Sequence, residues 1–114
     1  MKKLAIAFSV AAALAGTPAL AQFVGPSKTK ATTVAEAAEA RPDTRVILTG
    51  NIIGHQREEY YTFKDHTGTI TAEIDRIAFR GKTVGPETNV RLHGEVERGI
   101  RGRYIDVNRL EVVE

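Results

Sequence analysis

Cysteine is absent from this sequence, and so is tryptophan. Without cysteine the chain can form no disulfide, offers no thiol nucleophile or thiolate metal ligand, and cannot carry a lipid-modified cysteine anchor. Serine is nearly as scarce, because Ser27 is the only one after Ala21. Triad chemistry needs a positioned nucleophile beside a base, so the raw material for it is missing. The three histidines, His55, His66 and His93, lie in a loop, a turn and a strand. None has a second ligand at HxxxH or similar spacing, and exposed or rim positions are expected for all three. Long apolar runs are also lacking, with one exception at the N-terminus.

That exception has a definite order. Lys2 and Lys3 precede an apolar run from Leu4 to Gly16, and Thr17-Pro18 and then Ala19-Leu20-Ala21 follow it. A positive start, an apolar stretch and a small-x-small triplet are the parts of a cleavable export signal. The run is shorter than the ~20 residues needed to span a bilayer. The expected layout is a signal peptide over residues 1–21, cut between Ala21 and Gln22, a flexible leader over 22–31, and one domain over 32–114. The expected location is the periplasm, with no stable membrane insertion after cleavage. The full chain holds 16 basic and 14 acidic residues, and losing Lys2 and Lys3 leaves 14 of each. The net basicity that marks many nucleic-acid binders is therefore absent from the mature chain.

Thr33-Val34-Ala35-Glu36 is a capping-box pattern, with Val34, Ala37 and Ala38 on one helical face and Pro42 ending the helix. After Asp43 the period changes to two. Val46, Leu48, Gly50 and Ile52 predict the inward face of a long first strand, bent at Gly50. Gly54–Glu59 reads as a polar loop. Tyr60–Asp65 is the second strand, Asp65–Gly68 a turn, and Thr69–Asp75 the third strand. Ile77 and Phe79 predict a short helical turn or a plugging loop. Asn89–Glu97 is the fourth strand, and Gly99 and Gly102 mark an arginine-rich hairpin. Arg103–Val113 is the fifth, with a parity shift near Asn108 that predicts a bulge. Five short strands in a chain this small point to an all-β closed barrel, an OB-fold with one short N-terminal helix. An SH3-like barrel is the alternative, but the long break between strands three and four favours the OB-fold.

Several segments, in order, resemble a known family. They are Phe23-Val24-Gly25-Pro26-Ser27, Thr33-Val34-Ala35-Glu36-Ala37, Leu48-Thr49-Gly50-Asn51-Ile52 and Tyr61-Thr62-Phe63-Lys64-Asp65. Gly68-Thr69-Ile70, Ile74-Asp75, Gly94-Glu95-Val96 and Ile105-Asp106-Val107 continue the match. The chain resembles the exported bacterial OB-fold family, also called the YgiW/YdeI stress-tolerance family. Phe79 stands where that pattern has tryptophan. The resemblance implies a periplasmic, non-catalytic OB-fold linked to envelope or chemical stress, with no cofactor and no catalytic motif to transfer.

OB-folds usually bind across strands two and three, between the first and last hairpin loops. On that path the sequence places Arg57, Tyr60, Lys64, Glu73, Arg98, Arg101, Arg103 and Tyr104, with Thr62 and Thr71 between them. Single-strand nucleic-acid binders line this path with several aromatics and basic groups. Only two tyrosines face outward here, and Glu73 puts negative charge in the track. The expected partner is a periplasmic protein or an envelope glycan or lipid component, rather than nucleic acid. Glu73, Asp75 and Asp106 form a second cluster that could bind a cation, against the plainer reading of a solvated face balanced by Lys64 and Arg91.

Overall fold

The computed structural model describes residues 30–113. The expected signal peptide, the cleavage point and most of the leader lie outside the described residues. Lys30–Ala31, assigned to the leader by sequence, form a two-residue strand parallel to Arg45–Val46, with Ala31 buried.

Helix α1 spans Val34–Glu39. The Thr33 hydroxyl accepts from the Glu36 amide at 3.2 Å, and the Glu36 carboxylate accepts from the Thr33 amide at 3.2 Å, so the capping box is formed. Val34 and Ala37 are buried, whereas Ala38 faces solvent. Two turns present only a narrow stripe, and Val34 and Ala37, three residues apart, use it up.

Five strands follow: β1 Arg45–Arg57, β2 Tyr60–Asp65, β3 Gly68–Ile74, β4 Val90–Gly99 and β5 Gly102–Val112. β1 pairs antiparallel with β2, β2 with β3, and β4 with β5, while β3 and β5 run parallel. β4 then returns to the first half of β1, from Arg45↔Glu95 to Gly50↔Val90, and closes the barrel. The order β1-β2-β3-β5-β4-β1 is that of an OB-fold. β1 serves both ends of the closure because it changes partner at Gly50–Asn51. A Cβ on Gly50 would overlap the Lys64 carbonyl, so the bend expected there requires glycine.

Alternating side chains fill the barrel. Val46, Leu48, Phe63, Ile74, Val90, Leu92, Val96 and Ile105 are the large fully buried ones, with Ile52, Ile70, Val107 and Leu110 near them. Asn108 is the extra residue where the β4–β5 register shifts between His93 and Gly94, as the parity change predicts. The segment after β3 forms a 3-10 turn, Arg76–Phe79, capped by the Asp75 carboxylate, which accepts from the Ile77 amide at 2.8 Å. Phe79 packs edge-on to Tyr61 at 5.8 Å. Ile77 does not plug the barrel, since the turn points it outward at 79 % exposure.

The buried Asp65 carboxylate joins helix to barrel. It accepts from the Val34 amide at 2.9 Å, the Thr67 amide at 2.7 Å and the Thr67 hydroxyl at 2.6 Å. The Thr67 hydroxyl in turn accepts from the Ala35 amide at 2.9 Å. Two open N–H groups of the first helical turn are thus satisfied by the β2–β3 turn.

Candidate functional site

Two hairpins frame the site. The first departs from the expected polar loop over Gly54–Glu59: β1 continues to Arg57 and only Glu58 and Glu59 stand outside the strands. Glu58 adopts a left-handed conformation, φ 46°, which closes this tight turn. Register shifts at Ile53 and at Gln56 twist the ribbon over β3. Its polar residues are fixed by specific contacts. His55 stacks on Tyr61 at 4.7 Å, and its Nε2 lies 2.6 Å from the Glu58 carbonyl. Gln56, left out of the ladder, donates from Nε2 to the Thr62 and Thr71 hydroxyls, both at 3.0 Å.

The second hairpin turns through Ile100 and Arg101, between the paired Gly99 and Gly102. Gly102 takes φ 112°, a conformation suited to glycine. A Cβ on Gly99 would stand 3.1 Å from the Tyr104 ring, so glycine lets that ring lie against the hairpin.

Between the hairpins is a half-open cavity of about 610 Å³ over Tyr60, Thr71 and Tyr104, with Arg57, Arg101 and Arg103 on its rim. That volume suits a small ligand or a segment of a larger one. A groove of about 420 Å³ continues it past Thr62 and Thr69 to Ala38, and the two share Gln56, Thr71 and Arg103. The Tyr60 and Tyr104 rings meet edge to face at 5.8 Å. The Arg57 guanidinium lies over the Tyr60 ring, 4.4 Å from its centroid, and pairs with Glu58 at 3.2 Å. Arg103 donates from Nε to the Ala40 carbonyl at 2.6 Å, which ties this edge of the groove to the end of α1. Arg98 and Arg101 make no ion pair among the described residues.

Of the eight residues placed on this path by sequence, Arg57, Tyr60, Arg101, Arg103 and Tyr104 line the cavity. The other three stand apart from it. Lys64 sits toward the other end of β2, beside Asn51 and His66. Arg98 pairs across the ladder with Arg103 but does not line the cavity, and Glu73 lies two pairs along from Thr71, facing Tyr60 and Asp106. Thr71, which the sequence also places on the path, lines the cavity, whereas Gln56 and Ile100 are contacts that the sequence does not single out. A bulged glutamine and a turn isoleucine have no pattern of their own in a linear reading.

Negative charge collects beside the groove. Glu73, Asp106 and Glu95 are neighbours in register across β3, β5 and β4. Burial pushes the Glu73 carboxyl up, with Asp106, Glu59, Asp75 and Glu97 adding repulsion. Glu97 is raised by burial and then by Asp43, Asp106 and Glu95. The Tyr104 hydroxyl is raised by burial and by Glu73. Asp75 does not join Glu73 and Asp106, because its carboxylate caps the 3-10 turn. The carboxylates that do converge are those of Asp43, Glu95 and Glu97, within 4.8 Å of one another. The histidines are dispersed: His55 on the first hairpin, exposed His66 in the β2–β3 turn, and His93 against Glu111 at 3.2 Å.

Comparison with known proteins agrees with this architecture. The family profile described as Bacterial OB fold (BOF) protein matches residues 11–112. The chain is 41 % identical to the calcium-regulated OB-fold protein CarO of Pseudomonas aeruginosa, over 82 % of each. It is 36 % identical to protein YgiW of Escherichia coli K12, covering 99 % of this chain and 98 % of that one. The solved structure of the hypothetical protein ygiW from E. coli superposes with a TM-score of 0.68 at 38 % identity, over 82 % of this chain and 99 % of that one. By profile, sequence and barrel topology, the chain belongs to the bacterial OB-fold (BOF) family.

Proposed function

We propose that this protein is a non-catalytic periplasmic binding module that contributes to tolerance of envelope or chemical stress. It acts by holding a protein partner or an envelope glycan or lipid component in the groove between its two hairpins. The observation that carries this reading is the groove itself. Arg57 and Arg103 are held in place by named contacts, Tyr60 and Tyr104 form its apolar floor, and Arg101 is left unpaired at the rim. Anchored side chains lose little freedom on binding, which favours recognition.

The same geometry argues against single-stranded nucleic acid. The Tyr60 face that would stack a base is covered by Arg57, and Glu73 and Asp106 repel phosphate nearby. Titration with single-stranded oligonucleotides should give no micromolar binding. Such binding with a steep salt dependence would replace this reading.

The proposed address is testable separately. The protein recovered from the periplasm should begin at Gln22. Recovery only from the cytoplasm, with residues 1–21 intact, would contradict it. For the site, charge reversal of Arg98, Arg101 and Arg103 together should abolish partner capture by in-cell crosslinking, whereas reversal of Arg76 and Arg80 should leave capture intact.

A further inference from the structure

The tip of the second hairpin has a composition that the groove does not explain. Arg98-Gly99-Ile100-Arg101-Gly102-Arg103 has three arginines and no acid. At its apex Ile100 is fully exposed, the most exposed large apolar side chain among the described residues. Ile100 borders the cavity, but its full exposure means that it is not packed into it. It protrudes at the mouth of the cavity, with Arg101 beside it and the Arg98–Arg103 pair behind. The nearest acids are otherwise engaged or set back: Glu58 pairs with Arg57, and Glu97 is on the strand opposite Tyr104.

A protruding apolar side chain beside arginines that make no ion pair among the described residues fits a soft anionic surface better than a concave protein site. Interfacial anchors combine these two elements: an apolar group enters the acyl boundary while basic groups meet the headgroups. Arginine suits this role because its fork of donors matches phosphate oxygens in pairs. We propose that the β4–β5 hairpin tip docks the domain reversibly on an anionic phospholipid bilayer, with Ile100 entering the headgroup region and Arg98, Arg101 and Arg103 contacting lipid phosphates. This rests on the reading of the hairpin end as the binding end of the barrel, and names its surface.

The absence of tryptophan supplies the test. Ile100→Trp introduces a single tryptophan whose emission reports insertion at that position. With phosphatidylglycerol vesicles at low salt, the emission should shift to the blue and be quenched by brominated acyl chains. Phosphatidylcholine vesicles and free glycerol phosphate should produce no shift. Ile77→Trp, placed in the exposed 3-10 turn, should not respond to any of them. Adding Arg101→Glu and Arg103→Glu to Ile100→Trp should weaken partitioning by roughly 25-fold or more, from about fivefold per basic residue. An unshifted emission with phosphatidylglycerol overturns the proposal. So does an equal shift with phosphatidylcholine, with free glycerol phosphate, or at position 77. If insertion fails while a photocrosslinker at Tyr104 still captures a partner, the bilayer inference falls and the groove reading stands. If both fail, the hairpin end is not the binding end.

Discussion

Gly94 shows what a single residue decides in this barrel. It lies on the inward face of β4, where the β4–β5 register shifts, and a Cβ there would overlap the Asp106 carbonyl. Gly94→Ala should therefore destabilise the fold by about 1–3 kcal/mol through overpacking. Gly54→Ala, with nothing within 4 Å, should change stability little. Urea midpoints of the two variants check this directly, and equal midpoints would contradict it. The inward place of Gly94 was legible in the period-two pattern, but not the backbone that fills the space above it, because that strand arrives from β5. Glu111 is the opposite case, a half-buried carboxylate whose behaviour depends on Arg109 two residues away and on His93 across the ladder. Hydrogen bonds from Arg109 and then His93 hold it down to about 2, and Arg91 lies 3.4 Å away. A folded-state value below the unfolded one means that the carboxylate stabilises at pH above the unfolded value of 4.5 and loses that contribution as pH falls toward 2. Glu111→Gln should flatten this part of the pH–stability curve, and an unchanged acid limb would count against the cluster.

At the scale of the element, the helix depends on a turn 31 residues away, through Asp65 and the Val34 amide. Burial pushes the Asp65 carboxyl up, but bonds from the Thr67 hydroxyl, the Val34 amide and the Thr67 amide outweigh it, and the net direction is down. Asp65→Ala leaves those amides unsatisfied and should cost about 1–3 kcal/mol. The loss should be largest at neutral pH, shrink as pH falls below the unfolded carboxyl value, and level off only below the still lower folded value, where the wild-type group is protonated. Chemical denaturation across pH measures this, and a loss independent of pH would contradict the role of the charge. The capping box and the Asp65–Gly68 turn were readable from sequence, but their union was not, since neither pattern points to the other. The first hairpin resembles a loop in sequence for a physical reason. A two-stranded ribbon that covers nothing on one side carries no apolar alternation, and His55, Gln56 and Arg57 look like coil until Tyr61 and the threonines are placed beside them.

For the whole molecule, the all-β class and the five strands follow from periodicity, and the OB-fold from their number and from the break after β3. The closure of β1 on β4 and the parallel meeting of Thr71 with Tyr104 are long-range pairings that no local pattern encodes. They decide the site. They bring Tyr104 beside Tyr60, carry Lys64 away from the groove, and set the acidic row of Glu73, Asp106 and Glu95 next to it. The proposed place for a partner is the groove between the hairpins. A photocrosslinking residue at Tyr104, compared in living cells with one at Lys82 in the exposed segment after the 3-10 turn, tests this most directly. A discrete crosslinked product is expected from position 104 alone, lost on charge reversal of Arg101 and Arg103. A product from position 82 and none from position 104 would contradict it.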